Sequence, residues 1–293
     1  MAVIDWNGWQ CLEIETAEYR LICPLEVGPR VLWFSRRGGP NHLRPNPGHF
    51  GLKGGTDYRS YGGHRLWIGP EDPKTTYTPE NEPVRVENGS DSVRLESSVN
   101  SIGIKKEIEL QWTDGLVTVR HRVENCSDKP IELAAWAVTV MAPGGQCIIP
   151  GEPSVPHPEG LLPNRRIILW PYSEMSDPRF TWGSRTVRLS QTDAESPVKF
   201  GSFVSRGVAA YTNFGETFVK LFEADLASSY PDMGCNFEAF TRHDMLEVET
   251  LGPLRTLTPG KSLEHVEKWM IFPEVPPIDD VKCEDWLLSK RTC

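Results

Sequence analysis

The chain has 293 residues, of which 39% are hydrophobic and 24% charged, the proportions of an ordinary globular protein with a sizeable core. Its formal net charge of −9 argues against nucleic acid or an anionic membrane as partner, because both attract a concentrated basic face, which this sequence lacks. The first residues do not read as a secretory signal, and the seven cysteines form no Cys-x-x-Cys pair, so we expect reduced thiols in a cytoplasmic protein.

Short segments rich in β-branched and aromatic residues recur along the chain, separated by turn residues. The Asp-Gly dipeptide at Asp114 and Gly115 lies between two of them and predicts a hairpin. Residues 116–123 alternate strictly, which is typical of a half-buried strand. The apolar run 133–143 is shorter than the roughly 20 residues that cross a bilayer, so it predicts a buried strand. One helix is predicted at residues 279–290, where two initial aspartates suit the helix dipole.

The sequence contains no internal repeat, and no change in composition marks a linker between domains. The chain is therefore predicted to form a single domain over residues 1–293, an all-β, mostly antiparallel sandwich with one short C-terminal helix. The proline-rich residues 150–164 are predicted to form a long loop over one face of the sandwich, and to contribute a wall of a cleft.

Residues 54–83 have almost no apolar periodicity, although connections usually run about 4–6 residues. We predict a binding loop here, because such a chemically crowded segment is a poor linker. Sugars suit this composition, since their C–H faces stack on aromatic rings while charged groups bind their hydroxyls. For the aromatic residues the alternative is core packing beneath the loop. The side chains concerned are Asp57, Tyr58, Arg59, Tyr61, His64, Arg65, Trp67, Glu71, Asp72 and Tyr77.

Residues 245–251 read as a strand with Glu247 and Glu249 on one face, and with Leu246 and Val248 on the other, which we expect to face the core. If the glutamates line a cleft, their mutual repulsion and partial burial raise at least one pKa, as a general base near neutral pH requires. The alternative is a solvated strand face.

His265 and Glu267 likewise share a strand face, where they could supply two metal ligands or an acid–base pair. The alternative is a hydrogen-bonded histidine beside a surface glutamate. His64 with Glu71 is a second pair that could bind a cation, but neither spacing compels it. We predict no metal and no cofactor, and motifs for a serine nucleophile, a phosphate loop or a dinucleotide site do not occur.

Five stretches together resemble a known family: "VGPRVLWFSRRGGPNHL", "SYGGHRLWIGPED", "LAAWAVTVMAPGG", "YPDMGCNFEAFT" and "LEVETLGPLRTLTPGKSLEHVEKW". The chain is similar over nearly its whole length to an uncharacterised bacterial family within the galactose mutarotase-like (aldose 1-epimerase-like) superfamily. The resemblance implies a large antiparallel β-supersandwich with a sugar cleft on its concave face.

The same resemblance implies acid–base chemistry, in which a carboxylate removes the anomeric hydroxyl proton while a histidine protonates the ring oxygen. "VETL" before "TPGK" matches the mutarotase pattern, and in this match Glu249 occupies the position of the catalytic base. The strand that carries the acid in mutarotases corresponds to "LAAWAVTVM", which has no histidine, so His64 is predicted as its substitute. The predicted substrate contacts are Arg30, Tyr61, Arg65, Trp67, Glu71, Asp232 and Glu238.

The leading hypothesis is therefore a carbohydrate-binding isomerase of the aldose 1-epimerase type, acting on a free or modified sugar. A non-catalytic sugar-binding protein of the same fold is the first alternative. The second is a lyase or hydrolase acting on an acidic saccharide, with Arg30, Arg59 and Arg65 pairing a uronate carboxylate.

Overall fold

In the computed structural model, which describes residues 1–292, the chain forms 22 strands, one α-helix and two short 3-10 helices. The strands are β1 (Ala2–Trp6), β2 (Trp9–Glu15), β3 (Tyr19–Pro24), β4 (Arg30–Val31), β5 (Trp33–Arg36), β6 (His64–Gly69), β7 (Arg85–Asn88), β8 (Ser92–Glu96), β9 (Ile104–Thr113), β10 (Leu116–Asn125), β11 (Ile131–Met141), β12 (Gln146–Pro150), β13 (Ile168–Leu169), β14 (Phe180–Trp182), β15 (Thr186–Ser190), β16 (Val198–Ser202), β17 (Val208–Asn213), β18 (Glu216–Phe222), β19 (Phe237–Arg242), β20 (Met245–Leu251), β21 (Arg255–Leu257) and β22 (Ser262–Phe272). The helix is α1 (Asp280–Ser289), and the 3-10 helices are Pro47–His49 and Lys290–Thr292.

The strands pair into three sheets. A ten-stranded sheet has the order β14-β15-β12-β17-β18-β22-β10-β9-β8-β7, and an eight-stranded sheet has the order β13-β16-β19-β20-β11-β6-β4, with β21 paired to β11. A four-stranded sheet, β1-β2-β3-β5, completes the set. All the recorded pairings are antiparallel, as the sequence predicts.

Local patterning accounts for three neighbouring strands of the chain, β9 and β10 of the ten-stranded sheet and β11 of the eight-stranded sheet. The Asp-Gly turn joins β9 and β10, whose first pair is Leu116 with Thr113, so the predicted hairpin is confirmed. Along β10, intermediate and buried positions alternate from Leu116 onward, and Val117 and Val119 are buried in the core. The predicted buried strand is β11, which is buried over its last nine residues.

One apolar core fills the space between the two large sheets. The ten-stranded sheet contributes side chains such as Ile108 and Val119, and the eight-stranded sheet contributes Leu66, Phe237 and Val248. Burial of apolar side chains contributes roughly 25 cal/mol per Å² removed from water, so this interior supplies most of the favourable free energy of folding. The other face of the eight-stranded sheet remains available for a site.

The prediction of one continuous loop at residues 54–83 is wrong in its middle. His64–Gly69 is strand β6, which lies between β4 and β11 in the eight-stranded sheet, and all six of its residues are buried. A strand covered on both faces has no alternation of polar and apolar residues, so periodicity could not identify it.

The predicted C-terminal helix is confirmed as α1. Asp279 is its N-cap, and its side chain accepts a hydrogen bond from the backbone N–H of Lys282. Cys283 and Leu287 pack with Val219 and Met270 of the ten-stranded sheet in a second cluster of buried apolar residues. No helix among the described residues is both long and apolar enough to cross a membrane. Six cysteines are free thiols, and Cys293 lies outside the described residues.

Candidate functional site

A cavity of about 550 Å³ opens on the face of the eight-stranded sheet that points away from the core. Strands β6, β11, β16, β19 and β20 form its floor, and irregular segments form its walls. Its volume falls within the roughly 300–1,000 Å³ of small-molecule sites. It is lined by Arg44, Asn46, Tyr58, Ser60, Gly62, Arg65, Trp67, Glu71, Tyr77, Trp136, Val140, Tyr172, Glu195, Pro197, Lys199, Phe240, Arg242, Asp244, Met245 and Glu247.

Aromatic rings form one side of the cavity. Trp67 packs edge-to-face against both Trp136 and Tyr77, with 5.2 Å between ring centroids in each pair. Tyr58 packs against Tyr77 at 5.1 Å. Trp67 and Trp136 are also partners in the pairing of β6 with β11, so adjacent strands hold the two indoles. Such rings offer flat apolar faces of the kind that stack on sugar C–H groups.

The cations that line the cavity are all paired with carboxylates. This arrangement gives the site alternating donors and acceptors without a concentrated charge of one sign. The ion pairs are Arg44–Asp244 (2.5 Å), Arg242–Asp244 (3.3 Å), Arg65–Glu247 (3.1 Å), Lys199–Glu238 (2.7 Å) and Lys199–Glu249 (3.1 Å).

Arg65 and Trp67, two predicted contacts, both line the cavity. The Arg65 guanidinium lies 3.9 Å from the centroid of the Trp67 ring, and its Nη2 donates to Glu247 Oε1. Its side chain is 3% exposed, and its Nε and Nη1 have no hydrogen-bond partner among the described residues. Buried donors without partners are costly, so a ligand oxygen that reached these two nitrogens would be stabilised by their hydrogen bonds.

The predicted shared face of β20 is confirmed. Met245 and Glu247 line the cavity, whereas Leu246 and Val248 belong to the core. Glu249, the predicted base, continues the face of Glu247 but does not itself line the cavity; it is 1% exposed and lies behind the lining residues.

Two residues of the cavity wall hold the Glu249 carboxylate. Its Oε2 accepts hydrogen bonds from Trp136 Nε1 at 2.8 Å and from Lys199 Nζ at 3.1 Å. Oε1 accepts none within the described part of the chain. Burial raises the pKa of Glu249 above its ordinary value, Lys199 opposes this, and Glu247 adds to it. The carboxylate is therefore a stronger base than an exposed glutamate.

His64, the predicted acid, does not line the cavity. It points from the opposite face of β6 to Arg65 and Trp67, into the space between the sheets, and is fully buried. Its Nε2 lies 2.7 Å from Nε2 of His121, and its Nδ1 lies 2.8 Å from Thr139 Oγ1. Alternation along a strand is the reason, since neighbours in sequence occupy opposite faces.

Arg30 and Tyr61 are also placed away from the cavity. Arg30 is buried in an ion pair with Glu80 at 2.7 Å, and its guanidinium lies over the Tyr61 ring. Tyr61 packs against Trp9 and donates its hydroxyl to Asn81, so it has the core role that the sequence left open. Neither side chain lines the cavity, although Arg30 is the direct partner of Arg65 in the pairing of β4 with β6.

Of the three remaining predicted substrate contacts, one lines the cavity and two do not. Glu71 lines the cavity and accepts a hydrogen bond from the Tyr77 hydroxyl. Glu238 is fully buried beside Lys199. Asp232 lies in the turn before β19 and does not line the cavity. Residues 150–164 do not line this cavity either; they are mostly exposed, and the following segment contributes Tyr172. The first three of them line a separate pocket of about 240 Å³.

Buried histidines and a glutamate form a second polar group, inside the core. Ligand atoms of His64, His121 and Glu267 lie within 4.8 Å of one another, a spacing that could hold a metal ion. The hydrogen bonds already use these atoms, however. His121 Nδ1 must donate to the carbonyl oxygen of His265, so its Nε2 accepts from His64, and both rings are neutral.

Glu267 is fully buried, so the expectation of a surface glutamate is wrong. Its carboxylate accepts from Lys220 Nζ at 2.8 Å, from Thr250 Oγ1 at 2.5 Å and from Trp269 Nε1 at 2.7 Å. His265 forms a hydrogen bond with Thr250, which agrees with the alternative prediction of a hydrogen-bonded histidine. His64 and Glu71 lie on opposite sides of the eight-stranded sheet and cannot share a cation.

Sequence reasoning missed two central residues, Lys199 and Trp136. Each had one local signal: a single cation in the otherwise apolar "PVKFGSF", and a single large ring in "LAAWAV". Neither signal predicts which residue the side chain contacts. The contacts with Glu249 arise only when β16, β11 and β20 pair into one sheet.

Comparison with known structures agrees with this architecture. A protein from Escherichia coli, named as a candidate aldose 1-epimerase, superposes with a TM-score of 0.61 over 90% of this chain and 99% of its own, at 11% identity. A galactose mutarotase-like protein from Lactobacillus casei gives 0.56 over 89% and 99%, at 12% identity. The chain has the galactose mutarotase-like fold.

A galactose mutarotase related enzyme from Lactobacillus acidophilus also shares the galactose mutarotase-like fold, with a TM-score of 0.56 over 92% of this chain and 99% of its own. The sequence identity is 9%. No protein-family model and no curated protein matches the sequence. Fold similarity at such low identity describes the scaffold, whereas the chemistry depends on the side chains of the cavity.

Proposed function

We propose that the protein binds a sugar in this cavity and interconverts its anomers, as an isomerase of the aldose 1-epimerase type. The observation that carries the proposal is Glu249, a buried carboxylate of raised pKa whose Oε1 has no partner within the described residues, held directly behind the cavity wall by Trp136 and Lys199. Aromatic faces and unpartnered Arg65 donors beside it suit a sugar ring and its hydroxyls.

In this proposal Glu249 removes the proton of the anomeric hydroxyl, and the ring oxygen receives a proton from an acid on the other side of the anomeric centre. His64 is buried between the sheets, so the acid is sought instead among the tyrosines that line the cavity. Burial raises the pKa of Tyr58, Tyr77 and Tyr172, which keeps their hydroxyls protonated. We place the activity in cytoplasmic carbohydrate metabolism, in keeping with the six free thiols.

Sugar binding without turnover is a second candidate function, and the position of His64 favours it. The lyase or hydrolase alternative has less support. That alternative needs Arg30, Arg59 and Arg65 to bind a uronate carboxylate, and Arg65 alone of the three lines the cavity. Arg59 donates hydrogen bonds to the carbonyl oxygen of Gly54 and to the Tyr61 hydroxyl.

The first test is a thermal-shift screen against neutral sugars, sugar phosphates and uronates. A sugar that stabilises the protein is then followed by NMR saturation transfer between its anomers. We expect the wild type to accelerate anomer exchange and Glu249→Gln to reduce the rate at least 100-fold, the scale of general acid–base catalysis.

Glu247→Gln is the matched control, since Glu247 is 12% exposed in the cavity and lies two residues away on the same face. If Glu247→Gln abolishes exchange while Glu249→Gln does not, the base has been assigned to the wrong carboxylate. A bound sugar without accelerated exchange supports the binding protein. No stabilising sugar at all contradicts the proposal.

A further inference from the structure

Three adjacent strands bring one lysine and two glutamates together behind the cavity. Glu238 of β19 and Glu249 of β20 are direct partners in the strand pairing, so both carboxylates project from the same face. Gly201 of β16 is the partner of Glu238 and has no side chain, and Lys199 comes from two residues earlier on the same face of β16. The ammonium therefore reaches both carboxylates diagonally.

Lys199 is shared between the two glutamates. Its Nζ lies 2.7 Å from Glu238 Oε2 and 3.1 Å from Glu249 Oε2. Within residues 1–291 it is the one cation with a nitrogen within 4.0 Å of either carboxylate. The rings of Trp136 and Trp170 lie 4.7 Å and 4.6 Å from Nζ, which fixes the ammonium between them.

The two carboxylates carry two negative charges when both are ionised, and Lys199 supplies one positive charge between them. Glu238 is fully buried and Glu249 is 1% exposed, and each has an Oε1 without a hydrogen-bond partner in the described part of the chain. Burial raises the pKa of both carboxyls, that of Glu238 well above its ordinary value; Glu249 further raises the pKa of Glu238, and Glu247 that of Glu249. Burial alone would lower the pKa of Lys199, but Glu249 and Glu238 raise it, so the ammonium keeps its proton.

Other charged and titratable groups also face this trio, and they do not supply a second counter-charge. Arg65 is already paired with Glu247, and Lys220 with Glu267. The groups that act on Glu249 are Lys199, Glu238, Glu247, Arg65, Lys220 and Tyr172, and those that act on Glu238 are Lys199, Glu249, Asp232, Cys235 and Tyr172.

We propose that Glu238 is a positioning residue that competes with Glu249 for Lys199, and so makes Glu249 a stronger base than it would be if it alone paired with Lys199. This inference rests on the proposed function for its catalytic meaning, and it replaces the predicted role of Glu238 as a substrate contact. Glu238 itself does not touch the ligand. The proton taken from the ligand hydroxyl goes to Glu249 and returns when the sugar ring closes, while Lys199 stays protonated throughout.

The physical consequence is specific. When Glu238 loses its charge, Lys199 pairs with Glu249 alone, and a carboxylate with a full counter-charge has a lower pKa and is a weaker base. A residue that merely filled space would not change the protonation of its neighbour.

The test is a carbon-13 NMR titration of glutamate carboxyl groups in the wild type and in Glu238→Gln. The Glu249 resonance is assigned by its loss in Glu249→Gln. We expect its pKa to fall by at least one pH unit in Glu238→Gln, and to be unchanged in Glu264→Gln, whose carboxylate is half-exposed and paired with Arg120 on the surface. An unchanged Glu249 pKa in a folded Glu238→Gln protein overturns the proposal.

The wild type provides a second measurement, which does not depend on the folding of a variant. Two carboxylates that share one lysine titrate as a coupled pair, so both resonances should report two steps. Single, independent steps for both groups overturn the proposal.

Activity separates this inference from the proposed function. If anomer exchange is found, the acidic limb of its pH–rate profile should move to lower pH in Glu238→Gln, with a lower maximal rate. If no sugar is turned over, the proposed isomerase fails, while the NMR titrations still decide whether Glu238 controls Glu249.

Discussion

At the residue scale, several charged side chains of this chain are buried away from water. Lys220 and Glu267 are both fully buried between the sheets, with Nζ and Oε1 at 2.8 Å. Lys220 also donates to the carbonyl oxygen of Val248, and Trp269 donates to Glu267, so each charge has further partners. Buried charges persist only when paired and hydrogen-bonded in this way.

Lys220→Met is expected to lower the free energy of unfolding by about 3–5 kcal/mol, because Glu267 is left as an unpaired buried charge. The double variant Lys220→Met/Glu267→Gln should recover part of that loss, since the uncompensated charge is gone. Urea unfolding curves of the three proteins measure both effects. A cost below about 1 kcal/mol for the single variant would show that the pair does not matter to stability.

Arg65 is the residue-scale feature on which ligand affinity should depend most directly. Arg65→Lys keeps the charge but loses the planar group that lies over Trp67 and the two guanidinium nitrogens that have no partner among the described residues. We expect the best sugar from the thermal-shift screen to bind at least tenfold more weakly, a loss of about 1.4 kcal/mol, by calorimetry. Arg206→Lys, which alters an arginine paired with Glu284 away from the cavity, is the control and should bind normally.

At the element scale, sequence patterns predicted those strands that have one buried face. Alternation identified β10 and β20 correctly, and the Asp-Gly turn fixed the β9–β10 hairpin. Strand β6 lacks alternation because both of its faces are covered, and for that reason its sequence predicts a loop. That error also misplaced His64, since recognition of the strand would have put it opposite Arg65.

Helix α1 offers an element-scale test of a local signal. Asp279→Ala removes the acceptor for the Lys282 N–H and should cost about 1 kcal/mol of unfolding free energy. Asp279→Asn retains a capping oxygen and should cost much less. Thermal unfolding of both variants decides this; equal losses would mean that the charge, rather than the cap, stabilises the helix start.

At the scale of the whole molecule, three neutral histidines lie between the sheets. Burial lowers the pKa of His64 and His121, and lowers that of His265 from 6.5 to about 3. Below pH 6.5 the unfolded chain binds protons that the folded chain does not, so these groups make stability fall as pH falls. Each contributes about 1.4 kcal/mol per pH unit at most.

His265→Gln isolates one of these contributions. Glu238 and Glu249 have raised pKa values, so they make stability rise as pH falls. The difference in unfolding free energy between wild type and His265→Gln removes this contribution, which the wild-type curve alone does not. Between pH 6 and pH 4, wild-type stability should fall more steeply than that of His265→Gln, by up to about 1.4 kcal/mol per pH unit. Chemical unfolding across that range measures it, and parallel curves would contradict the buried neutral state.

The sequence by itself determined the class of the fold, most of its strands, the C-terminal helix and the shared face of Glu247 and Glu249. These depend on side-chain alternation, turn residues and caps, which are local properties of the chain. Tertiary structure alone decided that Lys199 and Trp136 meet Glu249, that Arg30 belongs to an ion pair with Glu80, and that His64 lies in the core. Such contacts join residues that are far apart in the chain, through the order of strands in a sheet, and alternation within a single strand carries no information about that order.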